Sequence, residues 1–132
     1  MTAGLAPALV SGWLNTLRTA GAAYGPVAGT FAQLHTGDPG AAGTASVSVG
    51  STTRNSFTFA ASTTGSALAL GTPPAAWTNG GTSETLTHIS VWTAASGGSF
   101  LFSVALTASK AWAATDQFTL STLTAALAPQ SA

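Results

Sequence analysis

The fold turns on one stretch: Glu84-Thr-Leu-Thr-His-Ile-Ser-Val-Trp92, then Thr93-Ala-Ala-Ser-Gly-Gly-Ser99, then Phe100-Leu-Phe-Ser-Val-Ala-Leu106. Side chains of a strand alternate between its two faces, so the first part predicts a strand with Thr85, Thr87, Ile89 and Val91 on one face. Leu86, His88, Ser90 and Trp92 fall on the other. Ser96-Gly97-Gly98 turns the chain. Phe100, Phe102, Val104 and Leu106 then give the clearest alternation in the sequence.

Working outward, the same period recurs on both sides. Toward the C-terminus, about residues 116–124 predict a last strand with Phe118 and Leu120 on one face. Toward the N-terminus, Trp77 sits in a short strand that runs into Asn79-Gly80-Gly81, and Asn-Gly is a strong hairpin signal. Ala67-Leu-Ala-Leu70 is a weaker strand. Phe57 and Phe59 share a face of one over about 54–60, and Ala45-Ser-Val-Ser-Val49 alternates cleanly. Phe31-Ala-Gln-Leu-His35 reads as a strand that ends in Thr36-Gly-Asp-Pro-Gly40. There Pro39 presets φ for the first central turn position, Gly40 supplies positive φ for the second, and Asp38 caps the turn through its side-chain oxygen.

The period changes only at the N-terminus. Leu5, Leu9, Val10, Trp13, Leu14 and Leu17 follow helical spacing over residues 5–20, with Pro7 tolerable in a first turn and Gly21 a stop signal. Seven or eight short strands behind one helix, with turn signals every 8–12 residues, predict a mainly β fold. The expected architecture is a single antiparallel β-sandwich, Ig-like or jelly-roll-like, with one N-terminal α-helix. The expected division is an N-terminal helix as docking or packing arm at 1–22, a β-sandwich domain at 23–126 and a loose tail at 127–132.

Composition removes several functions. The 132 residues carry six charged side chains, Arg18, Arg54, Lys110, Asp38, Glu84 and Asp116, and no net charge. Three cations release too few counterions to hold a nucleic acid. The absence of cysteine excludes disulfides and thiolate metal sites. The apolar N-terminal stretch is broken by Gly4, Pro7, Ser11, Gly12, Asn15 and Thr16, short of the roughly 20 apolar residues of a membrane span. A chain without net charge has little electrostatic protection against association. It suits a protein packed against copies of itself or against a large assembly.

Catalytic constellations are not legible. The three acids fall at turns or strand ends, whereas a glycosidase needs two carboxylates at a set separation. His35 and His88 occupy strand positions without a third metal ligand at a useful spacing, and read as histidines bonded to backbone or hydroxyls. There is no Gly-x-Ser-x-Gly elbow and no phosphate-cradling glycine loop. No catalytic, cofactor or metal residue is assigned, and no cofactor is expected. Among the tryptophans, Trp13 belongs to the helix stripe. Trp77, Trp92 and Trp112 read either as core and interface packing or, in an alternative reading, as an exposed glycan- or host-surface-binding face.

Several phrases, in order, carry a resemblance. They are Leu34-His-Thr-Gly-Asp-Pro-Gly40 with Ala41-Ala-Gly43, Thr53-Arg54, Trp77-Thr-Asn79 and Glu84–Trp92. Ala94-Ala-Ser-Gly-Gly98, Phe100-Leu101, Ala105-Leu-Thr-Ala-Ser109 and Asp116-Gln-Phe-Thr119 complete the set. Over about residues 9–124 the chain resembles the short "LHTGDPG" virion proteins of tailed bacteriophages, especially of actinobacterial hosts, which are of tail-fibre, minor tail or capsid-decoration type. It departs from them at Ala45–Val49, where relatives often carry an Asn-Glu-Val-like stretch, and at Thr93, where they often have Asp. The resemblance implies a non-enzymatic structural protein on the exterior of a virion, made in the bacterial host cytoplasm. The implied partners are itself, as a trimer or other cyclic homo-oligomer, and the major capsid or tail proteins. Nucleic acid and membrane are not expected partners. Leu5, Leu9, Trp13 and Leu17 are the expected docking anchor.

Overall fold

The computed structural model describes residues 3–18, 28–62 and 67–126. In chain order its elements are α1 (Pro7–Arg18), β1 (Phe31–His35), β2 (Asn55–Ser56), β3 (Ala67–Ala69), β4 (Trp77–Thr78), β5 (Glu84–Trp92), β6 (Phe100–Trp112), β7 (Gln117–Phe118) and β8 (Thr124–Ala126). The fold is mainly β and antiparallel, a β-sandwich with one N-terminal helix, as the alternation predicts. Among the described residues the main sheet has the order β2-β1-β5-β6, beside two ribbons, β3-β8 and β4-β7.

The central hairpin is β5 against β6, with Ile89 opposite Val104, Ser90 opposite Ser103 and Val91 opposite Phe102. On its other side β5 pairs with β1, setting Ala32 opposite Val91, Gln33 opposite Ser90 and Leu34 opposite Ile89. Residues directly opposite in a sheet share a face. One face therefore collects Ala32, Leu34, Ile89 and Val91, all buried in the core with Phe57, Trp77, Leu101, Trp112, Leu120 and Leu123. The other collects Gln33, His35, Ser90 and Ser103, which are buried but polar.

The faces read from the sequence hold from His88 to Trp92. A register shift between Leu86 and His88, where the partner jumps from Lys110 to Ala105, brings Leu86 into the core instead. A bulge breaks the period of two, so the side chains before and after it no longer follow one alternation. On β6 the residues with the cleanest alternation, Phe100, Phe102, Val104 and Leu106, are half-buried, while Leu101 and Ser103 between them are buried. The cause is a second shift between Val91 and Trp92 together with a cover on the outer edge of β6. There Ala6 N–H donates to the Leu101 carbonyl at 2.7 Å and Ser103 N–H donates to the Gly4 carbonyl at 2.9 Å.

Five local expectations are corrected. Ala45–Val49 is not a strand: it meets the sheet at one bridge, His35 to Val47, and Ser46 has φ of 53°. Asn79-Gly80 does not close a hairpin. The strand before it, β4, pairs with β7 nearly 40 positions later, and neither Asn79 nor Gly80 has the positive φ that the tightest hairpin turn requires. The strand about Phe57 and Phe59 shrinks to β2, with Phe59 bridging Leu70. The last strand divides into β7 and β8. The expected N-terminal helix starts at Pro7 rather than Leu5, Gly4–Ala6 being extended against β6. Its stop at Gly21 lies outside the described residues, as does the tail from residue 127.

The Asp38-Pro39-Gly40 turn forms as read. Asp38 Oδ1 accepts from Gly40 N–H at 2.8 Å, and Gly40 takes φ of 73°. Three residues on, Gly43 has φ of 73°, and a Cβ there would lie 2.4 Å from the Phe100 ring. Both effects oppose any side chain. Gly43→Ala is expected to cost about 2–4 kcal/mol from the backbone conformation and overpacking together, measurable as a lowered midpoint in urea.

Candidate functional site

The polar face of the sheet is where charge and hydrogen-bonding groups gather. It is built from β1, β5 and the segment 45–54 that crosses them. His35 is fully buried: its Nδ1 lies 2.8 Å from the Ala45 carbonyl oxygen, and its Nε2 lies 2.7 Å from Ser90 Oγ. A carbonyl only accepts, so Nδ1 carries the proton. In the neutral ring Nε2 then accepts from the Ser90 hydroxyl. Ser90 Oγ in turn accepts from Trp92 Nε1 at 2.7 Å. Each group in the chain Trp92–Ser90–His35–Ala45 thus has a partner of the right sense only while His35 is neutral.

Burial pushes the His35 pKa below its ordinary value, offset in part by the Ala45 carbonyl and reinforced by repulsion from neighbouring His88 and from the Arg54 cation. The unfolded chain therefore takes up a proton near pH 6.5 while the folded chain does not. Stability is full above that pH, falls as the pH drops toward the lowered folded value, and levels off below it. Urea midpoints measured from pH 8 to pH 5 are expected to fall with acid, and His35→Gln is expected to flatten the slope.

Arg54 closes the other end of the face. Its guanidinium carbon sits 3.6 Å from the centre of the Trp92 ring. Its Nε donates to Gln33 Oε1 at 3.2 Å, and Nη1 donates to the carbonyls of Ala94 and Gly97 at 3.2 and 2.7 Å. Gln33 passes the connection on, its Nε2 donating to the Thr52 carbonyl at 3.0 Å. Such a planar cation on a ring ties the β5–β6 turn to segment 45–54 and screens Trp92 from solvent.

A Ser–His contact is also the geometry of a nucleophile with its base. Here both side chains are fully buried, and the third partner of the imidazole is a backbone carbonyl. The three acids have other addresses. Glu84 accepts from Ser48 Oγ and from the backbone N–H groups of Val49 and Gly50. Asp116 Oδ2 accepts from Ala113 N–H at 3.0 Å, and Asp38 caps its turn. Among the described residues there is no cluster of three or more His, Cys, Asp or Glu that could hold a metal ion.

The tryptophans of the alternative glycan reading are interior. Trp77, Trp92 and Trp112 are all buried. Their indole N–H groups donate to the Thr53 carbonyl, Ser90 Oγ and the Asp116 carbonyl. The exposed stacking face which that reading requires is absent from these three residues.

The four expected docking residues are divided by the structure. Leu9 is buried in the chain's own core together with Ala6. Leu5, Trp13 and Leu17 are exposed and are joined by Leu14: the helix leaves Trp13 38%, Leu14 60% and Leu17 83% accessible. No helix among the described residues is long and apolar enough to cross a membrane.

Arg54, Gln33 and Ser90 stand in no sequence motif that marks them as structural keys, and Asn79 reads in the sequence only as a turn residue. An Arg inside the β domain of a chain with only six charged side chains is itself a signal. Such a cation has to be either exposed or fully partnered, and a neighbouring polar strand face supplies the partners.

The site is thus a hydrogen-bonded polar sheet face inside a nearly uncharged antiparallel β body, with exposed apolar side chains on the N-terminal helix. The chain belongs to the podophage GP4 fiber I protein gp80 family, whose model matches residues 5–128. The match takes in the helix as well as the β domain, and it makes the chain a phage fibre-type protein. No curated protein matches the chain.

Proposed function

We propose that the chain is a non-enzymatic structural subunit of a tailed-bacteriophage fibre, which self-associates into a cyclic homo-oligomer and attaches to the particle through its N-terminal helix. The observation that carries this is the open apolar side of α1. Trp13, Leu14 and Leu17 stand accessible on a chain with no net charge to keep copies apart. Aromatic and apolar side chains of this kind are enriched in the cores of protein interfaces. Fibre placement is preferred to capsid decoration because the family is one of fibre proteins. The resemblance of Leu34–Gly40 to virion proteins of actinobacteriophages fits the same setting.

Light scattering on the purified chain tests the reading. A cyclic oligomer gives a mass that is a multiple of 12.9 kDa, and an apolar interface keeps that mass nearly constant as salt is raised. A chain that remains monomeric at tens of micromolar contradicts it.

A further inference from the structure

We propose that Asn79-Gly80 is a deamidation site which the native fold keeps closed, so that the chain loses this amide only while the site is unfolded and does not return once it is lost. Three asparagines occur in the chain, Asn15, Asn55 and Asn79, and of these only Asn79 is followed by glycine. Thr16 and Ser56 follow the other two. Glycine has no Cβ to shield its backbone nitrogen and reaches conformations closed to other residues. In an open chain the Gly80 nitrogen therefore approaches its neighbouring side-chain amide most freely.

The reaction needs only water. The Gly80 nitrogen, its proton lost to hydroxide, bonds to Asn79 Cγ and closes a five-membered imide ring. Cγ expels Nδ2, which takes up a proton and leaves as ammonia. Water then adds to either carbonyl of the ring. Breaking the bond from Cγ to nitrogen leaves aspartate. Breaking the bond from the backbone carbonyl carbon to nitrogen leaves isoaspartate, with the main chain rerouted through Cγ. Nothing is oxidised or reduced: one water is consumed and one ammonia released.

In the folded chain every reacting group is held. Asn79 is only 2% exposed. Nδ2, the leaving group, donates to the Thr82 and Trp112 carbonyls at 2.7 and 2.8 Å. Oδ1 accepts from Gly81 N–H at 2.9 Å, which fixes the amide plane. The attacking nitrogen is tied as well, since Gly80 N–H donates to the Gly50 carbonyl at 2.8 Å. Ring closure takes Cγ from planar to tetrahedral and has to release these bonds. Their ordinary net strengths slow closure in the fold by about a hundredfold or more. Conversion of the native protein then runs through local opening, at a rate set by the open fraction.

The product does not fit back. Aspartate at position 79 turns an acceptor oxygen toward two carbonyls that need a donor. Isoaspartate also adds a methylene to the main chain between the N–H bonded to the Asp116 carbonyl and the N–H bonded to the Gly50 carbonyl. The site is a timer on the unfolded state: a chain that folds promptly keeps its amide, and one that lingers is withdrawn from folding. This chemistry is independent of what the folded chain assembles with.

The full chain is held at mildly alkaline pH in native buffer and, in parallel, in guanidinium chloride above its unfolding midpoint, and is followed by peptide mass spectrometry. In denaturant Asn79 is expected to convert to aspartate and isoaspartate well ahead of Asn15 and Asn55. In native buffer its conversion is expected to be slower by about a hundredfold or more. Gly80→Ala, read in denaturant where no fold is needed, is expected to slow Asn79 to the rate of Asn55. On dilution of the denaturant, converted chains are expected to stay unfolded by tryptophan fluorescence while fresh chains recover the native signal. Equal rates in buffer and denaturant, or an unfolded Asn79 no faster than Asn55, overturn the guarded site. Converted chains that regain native stability overturn the one-way step. Urea unfolding of Asn79→Asp reads that step without ageing, and native stability there overturns it too.

Discussion

Replacing Asn79 with Ala is expected to lower the unfolding free energy by about 3 kcal/mol. The Asn79 side chain is buried and ties three points of the fold. Its Nδ2 donates to the carbonyls of Thr82 and Trp112 at 2.7 and 2.8 Å, and its Oδ1 accepts from Gly81 N–H at 2.9 Å. The backbone adds more: Asn79 N–H donates to the Asp116 carbonyl, Thr115 N–H donates to the Asn79 carbonyl, and Gly80 N–H donates to the Gly50 carbonyl. Truncation leaves buried carbonyls without donors, at about 1–3 kcal/mol for each group stranded. Asn79→Asp is expected to be worse than Ala despite its matching shape. It turns a carboxylate oxygen toward two carbonyl oxygens that need a donor. Urea unfolding of the two variants checks this; a loss within about 0.5 kcal/mol for either one contradicts the role of Asn79.

Deleting residues 1–20 is expected to abolish both oligomer formation and co-sedimentation with phage particles. The β body loses the burial of Ala6 and Leu9, at about 2–3 kcal/mol for the two side chains, and the cover over the Leu101–Ser103 edge. Circular dichroism is expected to retain the β signal, since the main sheet and both ribbons lie wholly between Phe31 and Ala126. A truncated chain that binds particles as well as the full one removes the arm from the attachment.

The sequence made the centre of this fold legible and its connections much less so. Alternation over β5 and β6 is a local signal, and the structure keeps it wherever no bulge intervenes. The Asp38-Pro39-Gly40 turn is local too, and each residue plays the part its chemistry suggests. Asn79-Gly80 shows the limit. The dipeptide is read from its neighbours, but its conformation is set by Gly50, Trp112 and Asp116, which come from other parts of the chain. Ala45–Val49 alternates as a strand does, yet Glu84 and the Leu34 and Pro39 carbonyls hold it as a loop. At the candidate site, histidines at strand positions read as bonded to backbone or hydroxyl groups, and His35 has one of each. The stacking of Arg54 on Trp92 joins residues 38 positions apart and leaves no local mark in the sequence. In the helix, the apolar stripe was visible as a stripe. Which members face the core is decided by where Gly4–Ala6 meet β6, and that is a tertiary fact.

The central claim is that this chain is a fibre component of a virion. Gold-labelled antibody against the purified chain, applied to particles of the phage that encodes it and viewed by electron microscopy, tests that claim most directly. A fibre subunit places the label on the tail fibres. Particles left unlabelled, while the same antibody detects the chain in the infected-cell lysate, would contradict it.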